Sequence, residues 1–365
     1  MVDMAIASPR PSLLSGLPQT RFSGLRRPQA LAILLLTLVT ILVLLGVGTA
    51  HHAPASAPTA SMGDMAMYGR IVERMQDGEG YYPAAHAELV AGDYGTRSVF
   101  NWRLPTLFIL VSRLPSVLWA QIGLGIAAIG AALLAFRLMD ETAGRATALL
   151  LVVILTLSLA ACAAPGAVLF AEVPAGVLIL LSALAYGLGR PGWGLLAAVA
   201  ALFLRELAAP YILVSIWLAW RQGRRRELVA WALALAAYGA YFLWHAAMVQ
   251  AQLGPADVAY PEGWVQWGGL GFMLSTAAFN GLLVAQPIWV TAIVLPLSLV
   301  GLAGWRGPMA SRIGLTVGAY LLLFLVIGKP FNTYWGALYT PLLMFGLAQF
   351  PAAARDLVAG IRSPG

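Results

Sequence analysis

Charge is scarce in this chain. Asp, Glu, Lys and Arg together make up 10% of its 365 residues, where a soluble domain carries roughly 25%. That shortage excludes an ordinary water-soluble globule. Cysteine is nearly missing: Cys162 stands alone, so no internal disulfide can form, and the redox compartment stays open. Lysine is missing but for Lys329 among 22 basic residues. The phosphate-binding glycine patterns G-x-G-x-x-G and the P-loop do not occur, nor does a zinc-type ligand spacing, so nucleotide-driven chemistry has no support. No internal repeat is evident, and no soluble domain is left over at either end.

What the chain has in quantity is apolar sequence: 60% hydrophobic residues and a mean hydropathy of +0.81. Apolar runs recur from Leu31 to Phe350; a span needs about 20 apolar residues, fewer when packed inside a bundle. The expected fold class is an all-α polytopic membrane protein of about ten transmembrane helices. The spans fall near 29–49, 115–138, 146–164, 173–188, 192–207, 208–220, 228–248, 284–304, 311–328 and 334–350. The first run lacks a small-residue cleavage site and reads as an uncleaved span. The net charge of +7 is explained by arginines in short loops rather than by a nucleic-acid surface. Arg10, Arg21, Arg26 and Arg27 precede the first span. Arg137, Arg145, Arg190, Arg221, Arg224, Arg225, Arg226, Arg306, Arg312, Arg355 and Arg362 follow in alternate connections. With ten spans all lie on one side, the cytoplasm. This divides the chain into a basic cytoplasmic segment (1–28), a transmembrane domain (29–350, with its first extracytoplasmic loop at 50–114) and a cytoplasmic tail (351–365).

The other side then collects the charges that topology leaves unexplained: Asp64, Glu88, Arg97, Arg103, Glu172, Arg205, Glu206 and Lys329. Ionisable groups at membrane depth are costly and face cavities, which points to an outward-facing polar pocket. In the first loop, HHAPASAPTAS (51–61) reads as a linker, and 64–76 has helical periodicity, with Asp64, Tyr68, Ile71 and Met75 on one face. The glycines of DGEG stop that helix and YYPAAHAELV begins another. This amphipathic segment is expected along the outer interface, with Tyr81 and Tyr82 at headgroup level. Asp64 is then either an N-cap of the helix or a base beside the pocket.

The order of these elements resembles the GT-C superfamily of membrane glycosyltransferases, mannosyltransferase-like enzymes that take a sugar from a polyprenyl-phosphate carrier on the outer face. The resemblance rests on GDMAMY, GEGYY and TRSVFNWRLP (96–105), then AEVPAG around Glu172, FLRELAAPY (203–211) and GKPFNTYWGALYTP (328–341). It implies that Asp64, the acid soon after the first span, is the catalytic base or, in some members, a metal ligand. It also implies a second acid at Glu172. A lipid-phosphate leaving group calls for fixed positive charge, for which Arg103, Arg205 and Lys329 are the candidates. Tyr68, Glu88, Arg97, Asn332, Tyr334 and Trp335 are candidates for contacting substrate.

Each candidate also has a plainer reading. Glu172 serves equally as an ion-pair partner of Arg103 or Arg205, and Arg205 as a partner of Glu206. Arg103 fits an interfacial anchor, Lys329 a snorkelling side chain, and Tyr334 and Trp335 an aromatic belt. Asp64 and Glu172 could together hold one divalent cation, magnesium or manganese, or none. The expected partners are the lipid-linked donor, membrane lipids and an acceptor that is a glycan, a lipid or a protein. The expected location is the cell membrane, with both termini cytoplasmic. The rival function is a lipid or solute transporter without glycosyl transfer. A copper site from His51, His52, Met62, Met65 and Met67 ranks below it, because such ligands do not recur inside the spans.

Overall fold

The computed structural model describes residues 17–50, 57–259 and 266–362. The described residues form α-helices and short 3-10 turns, with no strand among them. Each of the ten apolar stretches carries a helix, because a run of apolar residues can satisfy its backbone groups only internally. In chain order these are α1 (Arg27–Ala50), α5 (Val117–Ala143), α6 (Arg145–Leu159), α7 (Glu172–Gly187), α8 (Pro191–Leu204), α9 (Ala209–Arg221), α10 (Arg225–Gln250), α12 (Ile288–Gly304), α13 (Pro308–Val326) and α14 (Thr340–Arg362). Between α1 and α5 lie α2 (Ala57–Gln76), α3 (Tyr81–Ala91) and α4 (Pro105–Ser112); α11 (Gly269–Ala278) follows α10.

Six helices are long and apolar enough to cross a membrane: α1, α5, α6 with its 3-10 extension to Ala163, α10, α13 and α14. The shorter apolar helices α7 and α8, of 16 and 14 residues, reach about 24 and 21 Å at 1.5 Å per residue. The hydrocarbon core measures roughly 30 Å. Large apolar side chains face outward on the long helices, with Leu36 67% and Leu243 72% exposed. A water-soluble chain of this size does not display such a surface, and a multi-pass membrane protein needs one.

The interior is closed by small residues. α12 lies against α14 more extensively than any other pair of elements. A Cβ on Gly301 would fall 1.8 Å from the Gly346 carbonyl oxygen, and one on Gly346 would fall 2.1 Å from that of Ser298. Glycine lets the two backbones touch there, the usual device of helices packed in lipid. Gly176 of α7 is pressed in the same way onto Ala337, within the 3-10 turn Thr333–Leu338.

Several expectations change. The last helix begins at Thr340, and residues 333–338 form the 3-10 turn instead. The expected tail continues α14 as far as Arg362. It stays helical because Ala352, Ala353 and Leu357 are buried, and Arg355 donates to the carbonyls of Leu17 and Pro18 at 2.7 and 2.9 Å. The supposed linker is helical from Ala57 onward; His51 and His52, and the rest of residues 51–56, lie outside the described residues, as do 1–16 with Arg10. Asp64 therefore sits inside α2 and is no N-cap. Tyr81 and Tyr82 are buried. They hold α3 against the body of the protein, Tyr81 by donating to the Arg103 carbonyl and Tyr82 by pairing with His245 at 3.0 Å. The apolar face of α2, Met67, Tyr68, Ile71 and Val72, is likewise buried in the protein.

Candidate functional site

The helical hairpin formed by α7 and α8 creates the centre of the site. The two helices are joined through a three-residue turn, so the start of α7 lies beside the end of α8. Glu172 is the first residue of α7 and Arg205 follows the last residue of α8. Each charge meets the helix terminus of the sign that favours it. Glu172 is 0% and Arg205 2% exposed, and Arg205 Nε stands 2.7 Å from Glu172 Oε1, though without the alignment of a hydrogen bond. Arg205 also donates to Glu206. Charges this deep persist only in company, since an unpaired one would cost several kcal/mol.

The first loop brings the third charge. Pro105 fixes the first turn of α4, and the chain entering it buries Arg103, whose Nη1 is 4.0 Å from Glu172 Oε1. Arg103 Nε donates to the Tyr68 hydroxyl at 2.7 Å, and Nη2 donates to the Tyr334 hydroxyl at 2.8 Å. Tyr334 in turn donates to Asn332 Oδ1 at 3.1 Å. The guanidinium also lies 5.6 and 5.9 Å from the ring centres of Tyr68 and Tyr334, within reach of a cation–π interaction. Burial holds the Tyr68 phenol neutral, its pKa pushed up to about 12. A chain Tyr68–Arg103–Glu172–Arg205–Glu206 thus runs through the interior, with Tyr334 and Asn332 closing its other flank. Glu172 Oε2 has no hydrogen-bond donor among the described residues.

Asp64 stands four residues before Tyr68, on the same face of α2 one turn away. The Tyr94 hydroxyl donates to its Oδ1. Burial raises the Asp64 pKa above the ordinary carboxylate value; the Tyr94 bond and the Arg103 charge oppose this, and the Glu172 charge adds to it. The net result is a carboxylate more basic than usual, half-buried and within the electrostatic field of Arg103 and Glu172.

Four other sequence candidates, Glu88, Arg97, Trp335 and Lys329, stand elsewhere or play other parts. Glu88 pairs with Arg70 at 2.6 Å and with Arg74 at 3.6 Å, joining α3 to α2. Arg97 donates to the Asp257 carbonyl at 2.8 Å. Trp335 is buried in the core with its ring edge-on to Phe272 and tilted against Phe324, so it offers no face to a sugar. Tyr334 is likewise internal rather than part of an interfacial belt. Lys329 is buried, 5.8 Å from the Phe331 ring, and its carbonyl accepts the Asn332 N–H at 2.9 Å.

Two partners escaped sequence reasoning. Tyr94 carries no spacing signal, and its role depends on how α3 folds back on α2. Asp257, in the connection after α10, accepts from Thr96 at 2.5 Å, the Gly254 N–H at 2.6 Å and His86 at 2.8 Å. These donors, led by the Gly254 N–H, hold its pKa down to about 2. With Arg97 and the N–H groups of Thr96 and Arg97 on the Val258 carbonyl, it clasps the first loop to the later one.

The donors present do not fit a divalent cation. Glu172 already faces two guanidinium groups, and Asp64 accepts from Tyr94 within the field of Arg103, whereas such a cation is held by carboxylates free of competing positive charge. No group of three or more His, Cys, Asp or Glu side chains gathers among the described residues. The chain matches no protein-family model, no curated protein and no solved structure.

Proposed function

We propose that this chain is a GT-C-type glycosyltransferase of ten spans, acting at the extracytoplasmic face on a polyprenyl-phosphate-linked sugar. The observation that carries this reading is Asp64: a carboxylate of raised basicity beside a buried chain of arginines and acids, at the end of the bundle away from the arginine-rich turns. In the reaction, the acceptor oxygen attacks the anomeric carbon from the face opposite the phosphate. The bond from that carbon to the phosphate oxygen breaks, its electron pair leaves with the lipid phosphate, and the acceptor proton passes to Asp64. A base of raised pKa is better matched to that transfer. Arg103 and Arg205, with Lys329 nearby in sequence to Asn332, are the charges that would balance the leaving phosphate. The unpaired Oε2 of Glu172 would accept a hydrogen bond from a hydroxyl of acceptor or donor.

A transporter is the second reading. Its support is that α7 and α8 fall short of a full bilayer crossing and end on buried charge, as interrupted helices do in transporters. The profile of polyprenyl-phosphate sugars in cells lacking the protein separates the two. In the transferase reading one lipid-linked sugar accumulates in the deletion, falls with the wild-type chain and stays high with Asp64→Asn. An unchanged profile, with substrate movement altered instead, sinks the transferase and leaves the transporter.

A further inference from the structure

The other end of the bundle holds two cavities side by side. The larger, about 630 Å³, lies between α9, the end of α12 and the start of α13, with Arg21 at its edge. The smaller, about 280 Å³, is lined by Tyr186 at the end of α7 and by Arg224, Arg306 and Arg312. Both share Leu218, Gln222, Gly307 and Pro308. Since α7 runs from Glu172 to Gly187, this region stands about one helix length, some 24 Å, from the acidic site. The sequence places its arginine-rich turns here.

Three features of this region belong together. Arg312 is 3% exposed, yet among the described residues no carboxylate stands within ion-pairing distance. Its direct contacts are the Ser215 hydroxyl at 2.7 Å and the Tyr186 ring, whose centre is 3.5 Å away; the Tyr186 hydroxyl donates to Glu227 at 2.7 Å, and that carboxylate is taken by Arg224 at 2.8 Å. Arg21, Arg221 and Arg306 are exposed around the cavities, and neither cavity has an acidic residue among its described lining. Beside this charge the larger cavity has an apolar wall, with Trp217 44% and Leu315 40% exposed. A buried cation without a direct ion-pair partner, further cations around it and an adjoining greasy wall are the complement of one kind of molecule.

We infer that this end of the bundle binds the headgroup of an anionic phospholipid. The phosphate sits in the smaller cavity by Arg312 and Arg306, near the first turn of α13, where the helix terminus adds positive potential, with Arg221 in the adjoining cavity. The acyl chains follow Trp217 and Leu315 onto the lipid-facing surface. A basic pocket between membrane helices recognises such headgroups by charge, and guanidinium groups suit phosphate by their paired donors. The inference rests on the chain spanning a membrane and does not require glycosyl transfer.

The test uses the full chain, purified in a neutral detergent. Native mass spectrometry and thermal unfolding are run with phosphatidylglycerol, with phosphatidylcholine and with inorganic phosphate. Phosphatidylglycerol should remain bound as discrete adducts and raise Tm, while phosphatidylcholine does neither. The double variant Arg221→Gln/Arg306→Gln removes only exposed charges, so it should fold, and should weaken phosphatidylglycerol binding roughly tenfold. Arg312→Lys, which keeps the charge but loses the paired donors, should weaken it further. Equal retention of both lipids, or unchanged binding in the double variant, overturns the site. An equal Tm rise with inorganic phosphate alone overturns the lipid in favour of a free anion. Release of the chain from membranes by alkaline carbonate would instead show that the membrane reading itself fails.

Discussion

Asp64 is held at some cost to the fold. Burial raises its pKa, so the folded state binds the proton more tightly than the unfolded chain does. The ionised carboxylate therefore subtracts stability above that raised pKa, and the subtraction fades as pH falls through it. On the transferase proposal, Asp64→Asn should lower transfer by about a hundredfold or more for loss of a general base, while leaving Tm in detergent unchanged or higher. A variant that is both inactive and several degrees less stable would mark Asp64 as a structural group. Glu172 makes the opposite case. Glu172→Gln leaves Arg205 with Glu206 alone, so the cost should fall below the about 3–5 kcal/mol of leaving a buried charge wholly unpaired. The double change Glu172→Gln/Arg205→Met should recover part of that loss in thermal unfolding. Strictly additive losses would mean that the 2.7 Å contact contributes no coupling.

Between elements, two kinds of joint do different work. The α12–α14 joint is backbone against backbone. Gly346→Ala would already have to push the helices apart and should lower stability by about 1–3 kcal/mol or more, read as a lower unfolding midpoint. The joint between the first loop and the α10–α11 connection is polar and centred on Asp257. Its pKa is depressed to about 2 from the usual value near 4. The clasp thus contributes its stability above about pH 4 and loses it as pH falls through about 2. Asp257→Asn should loosen the loop at neutral pH, seen as faster hydrogen exchange across residues 94–103, and should flatten the pH dependence in that acid window. Exchange that is identical in the two proteins would remove the clasp from the account.

At the scale of the whole molecule, arginine-rich turns gather at one end and the acidic site at the other. The ends are tied internally: the Arg21 N–H donates to the Gly304 carbonyl at 2.7 Å, and Thr20 donates to Asp356 at 2.8 and 2.9 Å, so the described N-terminal residues meet the last helix. Reporters fused at residue 60 and at residue 223 should therefore label opposite compartments, with 223 in the cytoplasm. The same compartment for both would overturn the ten-span scheme along with the outward-facing site.

Much of this architecture is legible along the chain, because hydropathy and arginine placement act locally. The apolar stretch 115–138 must hide its backbone in a helix whatever surrounds it. Arginines in short turns follow from the same one-dimensional balance, and so does the gathering of Asp64, Arg103, Glu172 and Arg205 outside those turns. Which of these groups touch is a different matter. The meeting of Glu172 with Arg205 depends on α7 and α8 folding as a hairpin of nearly equal arms, and that of Arg103 with Tyr334 joins residues 231 apart. Glu88 and Trp335 looked as available as Asp64 and Tyr334 in sequence, yet one is bound to Arg70 and the other buried against Phe272. Tyr94 and Asp257 gave no sign at all. Local hydration energies determine where a helix begins and which turns stay in water; the pairing of a buried charge is decided only when distant segments compete to desolvate it.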